Sequence, residues 1–431
     1  MTSRSSSWET AILLMLAIFL AGAPLVLFHA HPVAFAHLIA EDFQGEYAAA
    51  AAFAVAALLF LADAWRAPSR SRRMLSAVFA LAALVIAGEE VSWGDRLWYA
   101  LLGFARPDAL QAWNLQGELN LHNLEFVGLS PRTYHFGSYL LLTWLAVSAL
   151  LFRIGPGLAA RLTAAGIPLV PLRLIPLCLL PAFFFLLGPV VKADEVGELM
   201  LGVAALAYAL DRASSTGWLA KGWLAARPQA LVLSLLAVGL IGVLLASVSP
   251  QSHISWRLHA LAARDYPELG MYEQAEAIFD HIDRHSVELG RADTPLVHAE
   301  VLVAAGKMIE ARAMLAAALD NYPDPTALDG DSLCRIGQLY DAFGEQESAD
   351  KAFAAAIAAD RRALEAAEDA DQRAELMWSM ARTLRAQGRP HEATSAAAQA
   401  QRTATSARLR RELAHWLQEL EAAAPRDVRH T

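Results

Sequence analysis

The sequence predicts an all-α protein in two parts: a polytopic bundle of about seven transmembrane helices over residues 1–250, then a stack of soluble helical hairpins over 251–431. Three observations carry this. Apolar stretches of membrane-crossing length recur before residue 250 and stop there. The chain is 56% hydrophobic but only 18% charged, which is low for a soluble protein. The charge is also split: residues 1–250 hold 15 basic and 15 acidic side chains, so the net charge of −9 belongs to the remaining 20 basic and 29 acidic residues. An acidic domain repels phosphate backbones, which argues against nucleic acid as a partner.

The apolar stretches place spans near 11–29, 47–64, 74–92, 136–152, 168–191, 196–211 and 229–249. Short basic loops orient them. Arg66, Arg70, Arg72 and Arg73 follow the second span, Arg153 and Arg161 the fourth, and Arg212, Lys221 and Arg227 the sixth. The positive-inside rule then puts the N-terminus in the cytoplasm and everything after residue 250 outside it. Ala34-Phe35-Ala36 resembles a signal-peptidase site, but the first apolar core is long and its leading segment carries only Arg4, so an uncleaved anchor is expected. Prolines 168, 171, 176, 181 and 189 imply a kinked fifth span. Cys178 and Cys334 stand far apart in unlike contexts, which argues against a disulfide or a cysteine-based zinc site.

On this topology the five histidines of the membrane part (His29, His31, His37, His122, His135) share one side with most of its acids. Glu89 and Glu90 close the third span, and Asp194, Glu195 and Glu198 open the sixth, with Asp194 and Glu198 on one helix face. Carboxylates at that depth are costly and face a partner, water or a substrate path. They either pair with Lys192, Arg96 or Arg132 and anchor the span ends, or line a pocket. The intervening segment, 93–134, reads as an interfacial polar loop, with Trp93, Trp98, Tyr99 and Trp113 suited to the membrane surface. In it Asn114, Gln116, Glu118, Asn120 and His122 alternate, so an extended strand or a helix alike puts Glu118 and His122 on one face. We expect Glu89 or Glu90, Glu118, His122, His135 and Glu198 to converge as a polar layer, with Asp194 a further catalytic candidate. His122, His135, Glu90, Glu118 and Glu198 are also ligand types for a divalent metal. No HExxH pair accompanies them.

Glu-Glu-x-Ser-Trp-Gly-x-Arg followed by Asn-x-Gln-x-Glu-x-Asn-Leu-His-Asn resembles a pattern of uncharacterised bacterial polytopic membrane proteins over residues 88–125. The resemblance implies an inner-membrane protein and no activity. In architecture alone, acids and histidines at one face of a bundle are similar to the alkaline-ceramidase-like membrane hydrolases, whose local motifs are absent.

The second part is written in Ala, Leu, Glu, Arg and Gln, with Gly270, Gly306, Gly344 and Gly388 spaced by 36, 38 and 44 residues. Around Gly344 stand Leu333, Ile336, Gly337, Tyr340, Ala349, Phe353 and Ala356. These offsets resemble the small-residue and aromatic pattern of tetratricopeptide (TPR) repeats, whose period is about 34 residues. The resemblance implies a solenoid with a groove that binds a protein partner, closed by a capping helix near 405–423. Two functions are expected to compete. One is a membrane anchor that presents a TPR-like domain for protein–protein interaction in envelope assembly. The other is a membrane-embedded hydrolase or transferase, with or without a divalent metal, acting on membrane lipids or a lipid-linked substrate at the extracytoplasmic face.

Overall fold

The computed structural model describes residues 5–40, 44–91, 131–187, 193–215, 227–247, 251–285, 293–320 and 328–423, and its regular structure is all helical. It divides into two compact units. The first is Met1–Leu261 with Asp280–Leu289, and the second is Ala262–Phe279 with Gly290–Thr431.

The first unit contains α1 (Ser5–Ala30), α2 (Pro32–Ile39), α3 (Gln44–Arg66), α4 (Arg70–Glu90), α5 (Pro131–Ile154), α6 (Pro156–Ala164), α7 (Ile175–Leu186), α8 (Ala193–Ser215), α9 (Arg227–Ala246) and α10 (Gln251–Ala260). Five of these, α1, α3, α4, α5 and α9, are long and apolar enough to cross a membrane. The helix α8 has the length, but acids stand at its start and Asp211 and Arg212 near its end. The fifth predicted span is shorter than its apolar text. Pro168 and Pro171 lie outside any α-helix, a 3₁₀ turn covers Leu172–Leu174, and Pro176 sits in the first turn of α7. A proline there costs nothing, since the amide it lacks has no partner within the helix, so these prolines set where α7 begins. Pro181 alone falls inside it.

The helix α3 is the hub. Its alanines favour the helix and leave its surface smooth, so neighbours approach to backbone distance. A Cβ on Gly202 of α8 would lie 3.2 Å from the Ala49 carbonyl oxygen, and one on Gly242 of α9 would lie 2.6 Å from that of Gln44. Phe53 and Ala57 pack with Ala83 and Ala87 of α4, and Leu201 and Ala205 of α8 lie against that cluster. The outer helices instead expose large apolar side chains: Leu14, Ile18 and Phe19 on α1, Leu81 and Leu84 on α4, Leu236 and Leu240 on α9. Such a belt is a liability in water and the expected surface in lipid.

Contacts fix the direction of α3, α7, α8 and α9. Arg212, near the end of α8, meets Asp63, near the end of α3, while Gln44 at the start of α3 meets Gly242 late in α9. Gly197 early in α8 meets Phe185 at the end of α7. The helices therefore alternate between two ends. One end gathers Arg66, Arg70, Arg72, Arg73 and Arg212; the other gathers Glu89, Glu90 and Glu195.

The second unit is built of helical hairpins. Helices α12 (Thr294–Ala304) and α13 (Met308–Asp320) form one, α14 (Gly330–Ala342) and α15 (Gln346–Ala366) the next, α16 (Ala370–Ala386) and α17 (Pro390–Thr403) the third; α18 (Ala407–Ala423) packs on α17. The helix α11 (Tyr272–Arg284) precedes them. Gly270, Gly306, Gly344 and Gly388 sit at the four turns with φ between 71° and 77°. Each turn repeats one pattern: the amide after the glycine returns to a carbonyl five residues back, as Glu345 to Tyr340 at 2.8 Å and Arg389 to Leu384 at 2.9 Å. This closes the helix with a left-handed residue that glycine adopts without strain. Gly337 marks where α14 and α15 touch, because a Cβ there would lie 2.6 Å from the Phe353 ring. Replacing Gly337 with leucine should therefore cost about 1–3 kcal/mol by overpacking. Thermal unfolding of residues 255–423, followed by circular dichroism, checks this; an unchanged midpoint, or a fragment without helical signal, would refute the self-contained stack.

Candidate functional site

Three groups of polar side chains stand out, one at each end of the first unit and one on the second.

At the acidic end, Glu89 and Glu90 end α4, half-buried, and the Glu90 carboxylate lies within electrostatic range of both Glu89 and Glu195 of α8. Glu195 is ion-paired at 3.8 Å with Arg257 of α10, whose side chain is 1% exposed and neighbours the Trp256 ring. Three carboxylates thus gather at this end, and one of them, Glu195, meets a guanidinium. Arg257 comes to them because α10 is apolar on its inner face, where Ile254 and Leu258 are fully buried. Neither Glu195 nor Arg257 stood among the predicted site residues. Glu195 was visible as one of three acids opening a span, whereas Arg257 lies in a stretch whose text gives no sign of burial.

Of the predicted polar layer, Glu89, Glu90, His135 and Glu198 fall on described residues. Glu198 is half-buried one turn into α8, while Asp194 is exposed in its first turn. His135 is exposed near the start of α5, a helix that packs against α6 and α7. Glu118 and His122 lie outside the described residues, as do Arg96 and Lys192, and the Arg132 side chain is likewise not described. Among the described residues no three His, Cys, Asp or Glu side chains are grouped as metal ligands.

At the basic end the Asp63 carboxylate is fully buried and closes a knot of three helices. It accepts from Arg72 Nη2 at 2.7 Å, Ser76 Oγ at 2.5 Å and Arg212 Nη2 at 3.2 Å. Arg212 also donates to the Gly166 carbonyl at 3.5 Å, tying in the chain after α6. Beside it Arg173 pairs with Asp211. Asp63 stood outside the predicted site residues; its one available signal was a lone acid within an apolar run, a costly placement that does not say which residue it pairs with.

On the second unit an ion ladder runs across the first helices of successive hairpins. Arg335 of α14 pairs with Glu300 of α12 at 2.9 Å and with Asp331 at 3.3 Å, and Arg382 of α16 pairs with Asp331 at 3.2 Å. Burial holds the Glu300 carboxyl above its ordinary range, with Arg335 pulling the other way. Arg382 also lies over the Trp378 ring at 5.6 Å, and Arg385 over Trp416 at 5.7 Å. Asp371 accepts from the Ser406 amide at 3.1 Å and the Thr405 amide at 2.6 Å, which ties α16 to the chain just before the last helix and holds the Asp371 carboxyl below its usual range; Ser406 Oγ caps that helix by accepting from the Leu409 amide at 3.1 Å.

No protein-family model, no curated protein and no solved structure matches the chain.

The acidic end predicts opposite effects for two neutralising changes. Arg257→Gln leaves three carboxylates facing one another and should destabilise the bundle by about 3 kcal/mol or more. Glu90→Gln removes a like-charge contact and should leave stability unchanged or raise it. Thermal unfolding of the purified full chain reads both; a larger loss from Glu90→Gln than from Arg257→Gln would overturn the arrangement.

Proposed function

We propose that the protein is a membrane-anchored scaffold: a seven-span bundle of the bacterial inner membrane that presents a TPR-like domain outside the cytoplasm to a protein partner in envelope assembly. The observation that carries this reading is the recurring hairpin, with four glycine turns of one geometry and first helices laid side by side. Such a stack offers an extended surface that each hairpin enlarges without changing the core. The ladder face, with its arginines and tryptophans, is the surface we assign to the partner, since those types dominate protein interfaces.

The count of seven draws support from α7 and α8, which run between the same two ends as the five apolar spans. With its 3₁₀ turn, α7 rises about 24 Å, short of the roughly 30 Å hydrocarbon layer unless polar ends enter the headgroup region. The orientation draws support from the arginines gathered at one end, which the positive-inside rule assigns to the cytoplasm. The rival reading, a metal-dependent hydrolase or transferase acting on a lipid, draws on Glu89, Glu90 and Glu195. An arginine rather than a histidine completes that cluster, which favours an anchoring role.

Two measurements test the proposal. A reporter active only in the cytoplasm, fused after Thr431, should stay silent in cells; a strong signal reverses the orientation. A photo-reactive residue at Gln338 or Arg382, on the ladder face, should give a discrete protein adduct in cells, whereas one at Lys351 on the second helix should not. Equal labelling from both faces removes the ladder face as the docking surface.

A further inference from the structure

We propose that the basic end of the bundle is a docking surface for the phosphate headgroups of anionic phospholipids, with α6 lying in the headgroup layer. This rests on reading the first unit as membrane-spanning.

The helix α6 is nine residues long, far too short to cross a bilayer, and begins directly after α5 across Gly155. It buries Ala159 and leaves Leu158 and Arg161 exposed, an apolar and a cationic side chain on one short helix. Its position is fixed. The turn that follows packs on the start of α4, where a Cβ on Gly166 would lie 2.7 Å from the Arg72 Cα, and Arg212 holds the Gly166 carbonyl. That contact brings α6 beside the α3–α4 corner, where Arg70 and Arg73 are exposed and Trp65 is 85% exposed. Arg153, also exposed, ends α5 just before α6.

The carboxylates described at this end do not neutralise that set. Asp63 is buried among Arg72, Ser76 and Arg212, Asp211 is paired with Arg173, and Glu9 is half-buried against those two residues. The outward charge is therefore positive, in four guanidinium groups shared among α4, α5 and α6. A tryptophan at 85% exposure and an exposed leucine beside arginines would be a poor surface in water. They suit the headgroup boundary, where the ring and Leu158 enter the acyl region and the guanidinium groups bind phosphate. Each arginine adds attraction for an anionic leaflet, and a planar guanidinium can hold two phosphate oxygens at once.

The test uses the full chain in nanodiscs, with zwitterionic lipid alone or with about one-third phosphatidylglycerol. Phosphatidylglycerol should raise the unfolding midpoint and slow amide exchange in α6. The triple variant Arg70→Gln, Arg73→Gln, Arg161→Gln should unfold as the parent does in zwitterionic lipid, lose the phosphatidylglycerol shift, and retain anionic lipid roughly tenfold less well through purification. The matching triple lysine variant should keep most of the shift; if the glutamine variant misfolds, this variant alone tests whether charge carries the effect. An equal shift in the glutamine variant, or none in the lysine variant, overturns the proposal. So does an equal shift produced by inorganic phosphate in zwitterionic nanodiscs, which would make the ligand a soluble anion. Failure to insert into zwitterionic nanodiscs would instead refute the membrane-spanning reading on which the inference rests.

Discussion

A single carboxylate ties the first unit together. Helix α3 is lined with small side chains, and small-residue contacts bring backbones close without fixing how far one helix slides along another. Lipid supplies no hydrophobic force to settle that register. Asp63 does so, because its oxygens accept from Arg72 and Ser76 of α4 and from Arg212 of α8. Burying three charges costs several kcal/mol per ion, and removing one partner would leave the others stranded, so sliding by one turn is penalised far more than any loss of van der Waals contact. We read the knot as the device that sets register, in the way a polar residue in a helix interface sets alignment at some cost in stability.

The acidic end follows from that constraint. Glu90 stands 18 residues beyond Arg72 on α4, and Glu195 stands 17 residues before Arg212 on α8. At 1.5 Å per residue the two helices leave the knot and climb about 27 and about 26 Å. Two carboxylates that share no local sequence therefore arrive at the same height, on helices held against one hub. Their meeting is a consequence of register and equal length, and Arg257 from α10 offsets part of the repulsion it creates. An acid cluster produced this way reads first as an anchored helix end.

This geometry also marks where sequence reading stops. The apolar periodicity located α1, α3, α4, α5 and α9, because length and hydropathy are local properties. The four turn glycines and Gly337 were legible for the same reason: a left-handed turn and a close helix contact each demand glycine at one position. The pairing of Asp63 with Arg212 spans 149 residues and leaves no trace in either neighbourhood. Arg257 sits among polar residues that read as soluble helix, and only the packing of Ile254 and Leu258 buries it. The start of α7 was misread for a different reason. Prolines 168, 171, 176, 181 and 189 read in sequence as kinks of one long span, whereas the first three precede or open the helix, Pro181 alone is internal and Pro189 lies outside the described residues. The expected partners Glu118 and His122 lie outside the described residues; among the described ones, Glu90 of the expected layer stands near Glu89 and near Glu195, which the sequence reading did not include.

Magnitudes separate structure from recognition in the second unit. The ladder pairs of Arg335 and Arg382 are about one-third to one-half exposed, and pairs of that kind contribute roughly 0–1 kcal/mol each. The stack is held instead by close contacts of small residues with aromatics, as at Gly337 and Phe353, and by fully buried alanines such as Ala349, Ala356, Ala393 and Ala397. Losing packing there costs several times more than losing a ladder pair. The ladder can therefore exchange its internal ion pairs for the charges of a partner with little loss of stability, which a surface carrying the fold could not do. Arg382 and Arg385 lie over Trp378 and Trp416 beside that ladder, and Trp378 also packs on the core formed by Ala374, Ala400 and Leu413. The ion pairs that contribute least to folding thus lie on the face we propose for binding.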